Sequence, residues 1–226
     1  MTPTTIRPVL YDTLRHLISA RHSTRNFLTK SVSNDDLRNC LALAQNAPSG
    51  SNTQPWRATF LSGDALTSLK TALAAAADND PSQILQLPEA FRHYRSTLGR
   101  KLYGQAMGIA RDDLPAHTTA VLRNFEFFGA PLAGIIYIDK ALYDVDLLSV
   151  GIWLQTLVLE LTALGLDTCI EVSVAGYSHV IKRELCISDD MEVLCGLAVG
   201  YGDPTSAVNH VVAGRDEWEQ WIDIRD

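Results

Sequence analysis

Pro48-Ser49-Gly50-Ser51-Asn52-Thr53-Gln54-Pro55-Trp56, read together with Arg21-His22-Ser23-Thr24-Arg25, decides how this chain is organised. The earlier segment concentrates cationic and hydroxyl groups in an otherwise acidic protein. The later one is a run of small, polar, turn-forming residues that ends in a bulky aromatic. A helix-length stretch separates them, so both are able to line one cleft. A bound anion joined to a flat polar ring would satisfy both.

If the chain is extended after a first helix, side chains alternate and Arg21, Ser23 and Arg25 face one way. Two guanidiniums flanking a hydroxyl suit a phosphate, with bidentate charged bonds plus a neutral one. The stretch follows a helix C-terminus, so side-chain charge and not a helix dipole must do the binding. His22, on the other side, reads as structural. A basic loop that happens to contain serine is the plain alternative. In the second segment, Ser49, Gly50, Ser51 and Asn52 offer donors with little bulk, and Gly50 lets main chain approach a ligand closely. Asn52 and Gln54 carry amides able to donate to and accept from a ring edge. A plain turn would also explain Pro-Ser-Gly-Ser, and Trp56 reads more readily as core than as a ligand stacker. Neither plain reading explains the two segments occurring together. Phosphate plus flat ring is the outline of a flavin mononucleotide (FMN).

The chain has 226 residues, 46% hydrophobic and 20% charged, the profile of an ordinary globular protein. Its net charge of -7 argues against a general partner for nucleic acid or acidic membranes. Residues 1–30 nevertheless hold five basic residues against Asp12 alone, a candidate anion site or a solvated basic surface. Cys40, Cys169, Cys186 and Cys195 show no metal-type pairing and no disulfide framework, which points to a reducing cytoplasm. The N-terminus, with Pro3 and Pro8, does not read as a signal peptide. The most apolar window, Val145 to Gly165, is interrupted by Asp146, Gln155 and Glu160, so it reads as a buried helix and not a membrane span.

Leu10, Leu14, Leu17 and Ile18 predict a first amphipathic helix to about Ala20. Ser33, Asp35 and Asp36 start a second, with Leu37, Cys40, Leu41 and Ala44 as its stripe and Pro48 as its stop. Arg57 to Leu61 reads as a strand, and Asp64 caps a third helix carrying Leu66, Leu69 and Leu73. After a break at Asp78-Asn79-Asp80-Pro81, two helices are expected. One carries Phe91, Tyr94, Leu98 and Leu102, the other Val121, Leu122, Phe125 and Phe128. Residues 90–128 form either a helical cover over a pocket, where substrate choice would lie, or an extra hairpin. Leu132–Ile138, Leu166–Val172 and Val193–Tyr201 read as strands, with a helix through Val180, Ile181 and Leu185 between the last two. The helix at 145–165 stops at Gly165. The arm 204–226 carries Trp218 and Trp221 and is expected to dock somewhere apolar. The sum is a single α+β domain over 1–226.

The chain resembles the flavin-dependent nitroreductase family, especially its branch acting on nitroaromatic compounds such as nitrobenzoates. The resemblance runs from about Arg15 to the C-terminus. It is strongest at Arg21–Phe27 and Ala47–Trp56, and weaker at Leu-Gly-Leu-Asp-Thr-Cys (164–169) and Ala-Val-Gly-Tyr-Gly-Asp-Pro (198–204). It implies a nitroreductase-like fold, a central mixed or antiparallel sheet flanked by helices, in an intertwined FMN-binding homodimer. Carried over by residue, Arg21, His22, Ser23 and Arg25 would hold the phosphate and pyrimidine side of the flavin. Pro48, Ser49, Gly50, Ser51 and Asn52 would reach the flavin of the partner subunit, with Gln54 beside them. Ile170 and Glu171 would lie near the hydride-accepting nitrogen, and Arg215 would close over the phosphate.

Two positions depart from the family pattern. Glu171 puts a carboxylate where the nearest branch often has glutamine, and Ala213 stands where a second basic residue is common. The implied chemistry is ping-pong: NAD(P)H reduces the flavin, then a nitroaromatic or quinone takes the electrons at the same face. No obligatory protein acid, base or nucleophile is expected, and no metal. Reductive dehalogenation, flavin breakdown and non-catalytic flavin binding are the competing readings.

Overall fold

The structure, a computed structural model, describes residues 3–80, 83 and 86–225. Pro81, part of the expected break after the third helix, lies outside them. Strands β1 (Arg57–Ser62), β2 (Leu132–Asp139), β3 (Asp167–Glu171) and β4 (Met191–Gly200) form one sheet in the order β1-β2-β4-β3. Every pairing is antiparallel. The helices are α1 (Pro3–Ala20), α2 (Asn34–Ala44), α3 (Gly63–Asn79), α4 (Arg92–Gly99), α5 (Leu114–Leu122), α6 (Asp144–Ala163) and α7 (Ser178–Leu185). The α+β expectation holds, with an antiparallel sheet.

Strand β2 is central and buried on both faces, which is why Leu132–Ile138 is an unbroken apolar run. Ala133 and Ile135 face one core with Leu66, Leu69 and Leu73 of α3 and Ile181 of α7. Leu132, Ile136 and Ile138 face a second core with Leu37 and Cys40 of α2 and Trp153, Leu157 and Leu161 of α6. Helix α6 is long and apolar enough to cross a membrane, but its residues Val150, Trp153, Leu157, Val158 and Leu161 are buried in this second core. Local signals set the helix ends. The Ser33 hydroxyl accepts from the Asp36 amide at 3.3 Å, and Gly165, at φ +74°, follows α6.

Two expectations are corrected, and two exposed apolar surfaces stand beside them. The helix through Val121–Phe128 ends at Leu122, and a 3-10 segment, Arg123–Gly129, follows. Phe127 and Phe128 sit at φ 50° and 53°, a left-handed conformation costing roughly 1–2 kcal/mol per residue. Their rings are 0% and 4% exposed, and burial of such rings is worth about as much. The helix beyond Gly99 becomes a π-helix, Arg100–Ala106. Trp218 and Trp221 are 50% and 66% exposed, so the C-terminal arm does not dock its tryptophans on its own chain. The stripe Leu10, Leu14 and Ile18 on α1 is exposed as well.

Candidate functional site

The segment after α1 runs as a short extension beside β3. Ser23 bridges Thr168, Phe27 bridges Gly202, and the Thr24 amide donates to the Thr168 carbonyl at 3.0 Å. This fixes the alternation expected from an extended chain. Thr24 is fully buried, while Arg21, Ser23 and Arg25 stand half-buried in the wall of a cleft of about 670 Å³. Gly202–Pro204 and Asn209–Arg215 line the same cleft. His22 acts within its own turn: Nδ1 donates to the Ala20 carbonyl at 2.9 Å and Nε2 meets the Thr24 hydroxyl at 3.2 Å.

Asn209 holds the two walls together. Its Oδ1 accepts from the Arg25 and Asn26 amides at 2.8 and 3.0 Å, and its Nδ2 donates to the Asn26 and Asp203 carbonyls at 2.8 and 3.0 Å. Two carboxylates share the cleft, and both are engaged. Asp167 accepts from the Gly202 amide at 2.8 Å. Asp203 accepts from the Thr205 hydroxyl and amide, which hold it below the usual carboxylate range.

The cations are not engaged. Arg25 donates once, to the Ser23 carbonyl at 3.1 Å, and Arg215 bonds only the carbonyl of Gly214. Arg21 makes no side-chain hydrogen bond among the described residues. No carboxylate of the described residues pairs with any of the three. Three guanidiniums with unspent donors on one cleft have the chemistry to bind an anion.

The second segment is elsewhere. None of Pro48, Ser49, Gly50, Ser51, Asn52 or Gln54 lines this cleft, so one chain alone does not bring the two segments together. They form a loop on the N-terminal half of α6. The Gly50 amide donates to Ser149 Oγ at 3.3 Å, Thr53 Oγ1 to Asp146 at 3.4 Å, and the Gln54 amide to Ser49 Oγ at 3.0 Å. Ser51, Asn52 and Gln54 all have positive φ (49°, 58° and 47°) and are exposed. Strain of this kind in non-glycine residues clusters at ligand-binding sites. Trp56 is core: it stacks on Trp153 with centroids 6.0 Å apart.

At the end of β3, Ile170 is 41% exposed whereas Glu171 is 2% exposed. The expected carboxylate beside the ring is therefore corrected, because alternation along the strand turns Glu171 into the core. Burial pushes its carboxyl well above the usual range, against the opposing pull of Arg25 and Lys70. Burial likewise pushes the Cys169 thiol up to about 12, so it is no nucleophile at neutral pH.

The family model for the nitroreductase family matches residues 18–201. A 4-nitrobenzoate reductase of Pseudomonas putida is 35% identical over 92% of this chain and 93% of its own length. The chain belongs to the nitroreductase family. A nitrobenzene nitroreductase of Ectopseudomonas oleovorans is 32% identical over 91% of this chain and 93% of its own. The crystal structure of the FMN-dependent nitroreductase NfnB from Mycobacterium smegmatis in complex with NADPH superimposes with a TM-score of 0.89. It is 29% identical and covers 96% of this chain and all of that one (100%). The span matched to the nitroreductase family contains both N-terminal segments and the end of β3. Asn209 and Arg215 fall beyond it. Nothing in the sequence around Val208-Asn209-His210 marks Asn209 as the staple of the site.

Proposed function

We propose that this chain is an FMN-dependent oxidoreductase that uses NAD(P)H to reduce nitroaromatic or quinone-type acceptors. The observation that carries this reading is the uncommitted trio Arg21, Arg25 and Arg215 on a cleft of mononucleotide size. The donor set fits the cofactor: Arg21, Ser23 and Arg215 would take the phosphate, and Arg25 the pyrimidine carbonyl. The exposed end of β3 at Ile170 would border the ring. When bound, FMN supplies acceptance of hydride from the nicotinamide and its delivery to the acceptor. The protein's part is to orient both ligands and to keep positive charge where negative charge develops. One shared site predicts ping-pong kinetics, with parallel lines in double-reciprocal plots. The test is direct. Purified protein should be yellow, release FMN, and oxidise NADPH or NADH steadily once a nitroaromatic or quinone acceptor is added. Colourless, inactive protein after reconstitution with FMN would overturn the reading.

The functional unit in this reading is a homodimer in which the loop 48–54 of one protomer completes the cleft of its partner. Exposed apolar surface supports it: Leu10, Leu14 and Ile18 of α1, Leu148 and Ile152 of α6, and Trp218, Trp221, Ile222 and Ile224 of the arm. The four free cysteines support a reducing, cytoplasmic setting. Deleting residues 217–226 should weaken the dimer more than tenfold, since each large apolar side chain buried contributes about 1.5–3 kcal/mol. Sedimentation at falling concentration reads this, and a truncated chain that dissociates no more readily than the intact one contradicts it.

A further inference from the structure

A second cavity, of about 490 Å³, lies inside the helical region between α4 and α5, apart from the arginine cleft. Its walls come from the π-helix, which contributes Arg100, Tyr103 and Gly104, and from Ile109, Arg111 and His117 beyond it. Runs of π-helix are rare and recur at functional sites. The aromatic wall is fixed. Tyr103 and His117 meet edge to face with centroids 5.4 Å apart, and His117 Nε2 bonds the Ala110 carbonyl at 3.1 Å. The floor is open: a Cβ on Gly104 would meet nothing within 4 Å.

The rim is cationic. Between Arg92 and Arg123 the chain holds six basic residues against Asp112 and Asp113, within a protein of net charge -7. Arg100 donates only to the neutral Thr97 hydroxyl at 3.3 Å, and Arg111 makes no side-chain bond among the described residues. The two acids sit nearby, but Asp113 already caps α5 through the Ala116 amide at 3.1 Å. The segment that walls the cavity also reaches the cleft. The Tyr103 hydroxyl is in electrostatic reach of Arg25, and Lys101 Nζ donates to the Val212 carbonyl on the cleft wall at 2.9 Å.

We infer that this cavity is a specificity subsite for a flat aromatic ligand bearing an anionic group. The ring lies along Tyr103, Ile109 and His117, and the anion meets Arg100 and Arg111. Two ligands of the proposed reaction have this chemistry: an acceptor ring carrying a carboxylate, and the phosphorylated adenosine end of NADPH. Naming those sources rests on the oxidoreductase reading; the binding itself does not.

The test is calorimetric titration of the purified full-length protein, with no reductant present, by benzoate, neutral benzamide and adenosine 2′-phosphate. Benzoate or the nucleotide should bind at least tenfold more weakly to the Arg100→Gln/Arg111→Gln double variant, and benzamide should be insensitive to it. Gly104→Leu should block the cavity with the fold intact, as read by thermal melting. Dependence seen with benzoate assigns the acceptor as the ligand, and dependence seen with the nucleotide assigns NADPH. If neither anion binds, or if binding ignores Arg100, Arg111 and Gly104, the inference is wrong. Arginine-dependent benzoate binding in a protein without nitroaromatic-dependent NADPH oxidation would keep the subsite and remove the proposed function.

Discussion

Protein carrying both Arg21→Ala and Arg215→Ala is expected to fold normally and to purify without flavin colour. Neither side chain is in a core or an ion pair, so the flavin-free melting temperature should match that of the flavin-free parent. A hydrogen bond from a charged donor contributes about 1.5–3 kcal/mol, less at an exposed position such as Arg215. Losing both weakens FMN by roughly 10²–10³-fold. Arg21→Lys should fall between, because an ammonium keeps the charge and loses the two-pronged geometry. Quenching of FMN fluorescence on titration measures all three proteins. If flavin content is unchanged in the double variant, the cleft is not where the phosphate goes.

How far the sequence carries depends on whether a signal is local. Ser33-Asn34-Asp35-Asp36 contains its own helix start, and the structure places the cap there. The run 132–138 announces a strand buried on both faces because apolar residues are uninterrupted. Arg21, Ser23 and Arg25 follow from two-residue alternation, which needs only an extended backbone. Phe127 and Phe128 could not be read this way. The spacing of Val121, Leu122, Phe125 and Phe128 is helical, but the core takes the rings of Phe127 and Phe128 and a left-handed turn ends the helix there. Asn209 is likewise invisible, since three of its four bonds reach residues about 180 positions away, 183 or 184. Glu171 was legible in part. Alternation along β3 sets it opposite Ile170, yet only the strand's edge position and the packing of α3 show which of the two faces the interior.

That buried carboxyl gives the second large effect. Glu171→Gln should abolish a fall in stability that the parent protein shows as pH rises from the ordinary carboxylate range. Both oxygens of Glu171 lack a hydrogen-bond partner, and the residue is 2% exposed. Arg25 from the cleft segment and Lys70 from α3 face it, with the thiols of Cys169 on β3 and Cys195 on β4 close by. Lys70 is itself half-buried and spends a bond of 2.7 Å on the Ala130 carbonyl. Desolvation outweighs both cations and raises the folded-state proton affinity above that of the unfolded chain. Between those two affinities the native state keeps a proton that the unfolded state has lost. Stability is therefore full below the unfolded carboxylate range and declines as pH rises towards the folded value, by about 1.4 kcal/mol per pH unit. In a chain of this length each kcal/mol moves the melting temperature by about 2–4 °C, well within reach of scans between pH 5 and 8. The glutamine variant carries no titrating proton, so its curve should lie flat against the parent's slope, and parallel curves would place the carboxyl in contact with water. The same proton matters to the cleft. While Glu171 stays neutral, no carboxylate behind Arg25 competes with a bound anion, and ionisation of Glu171 at high pH would set one there. FMN affinity should accordingly weaken with rising pH in the parent more steeply than in Glu171→Gln.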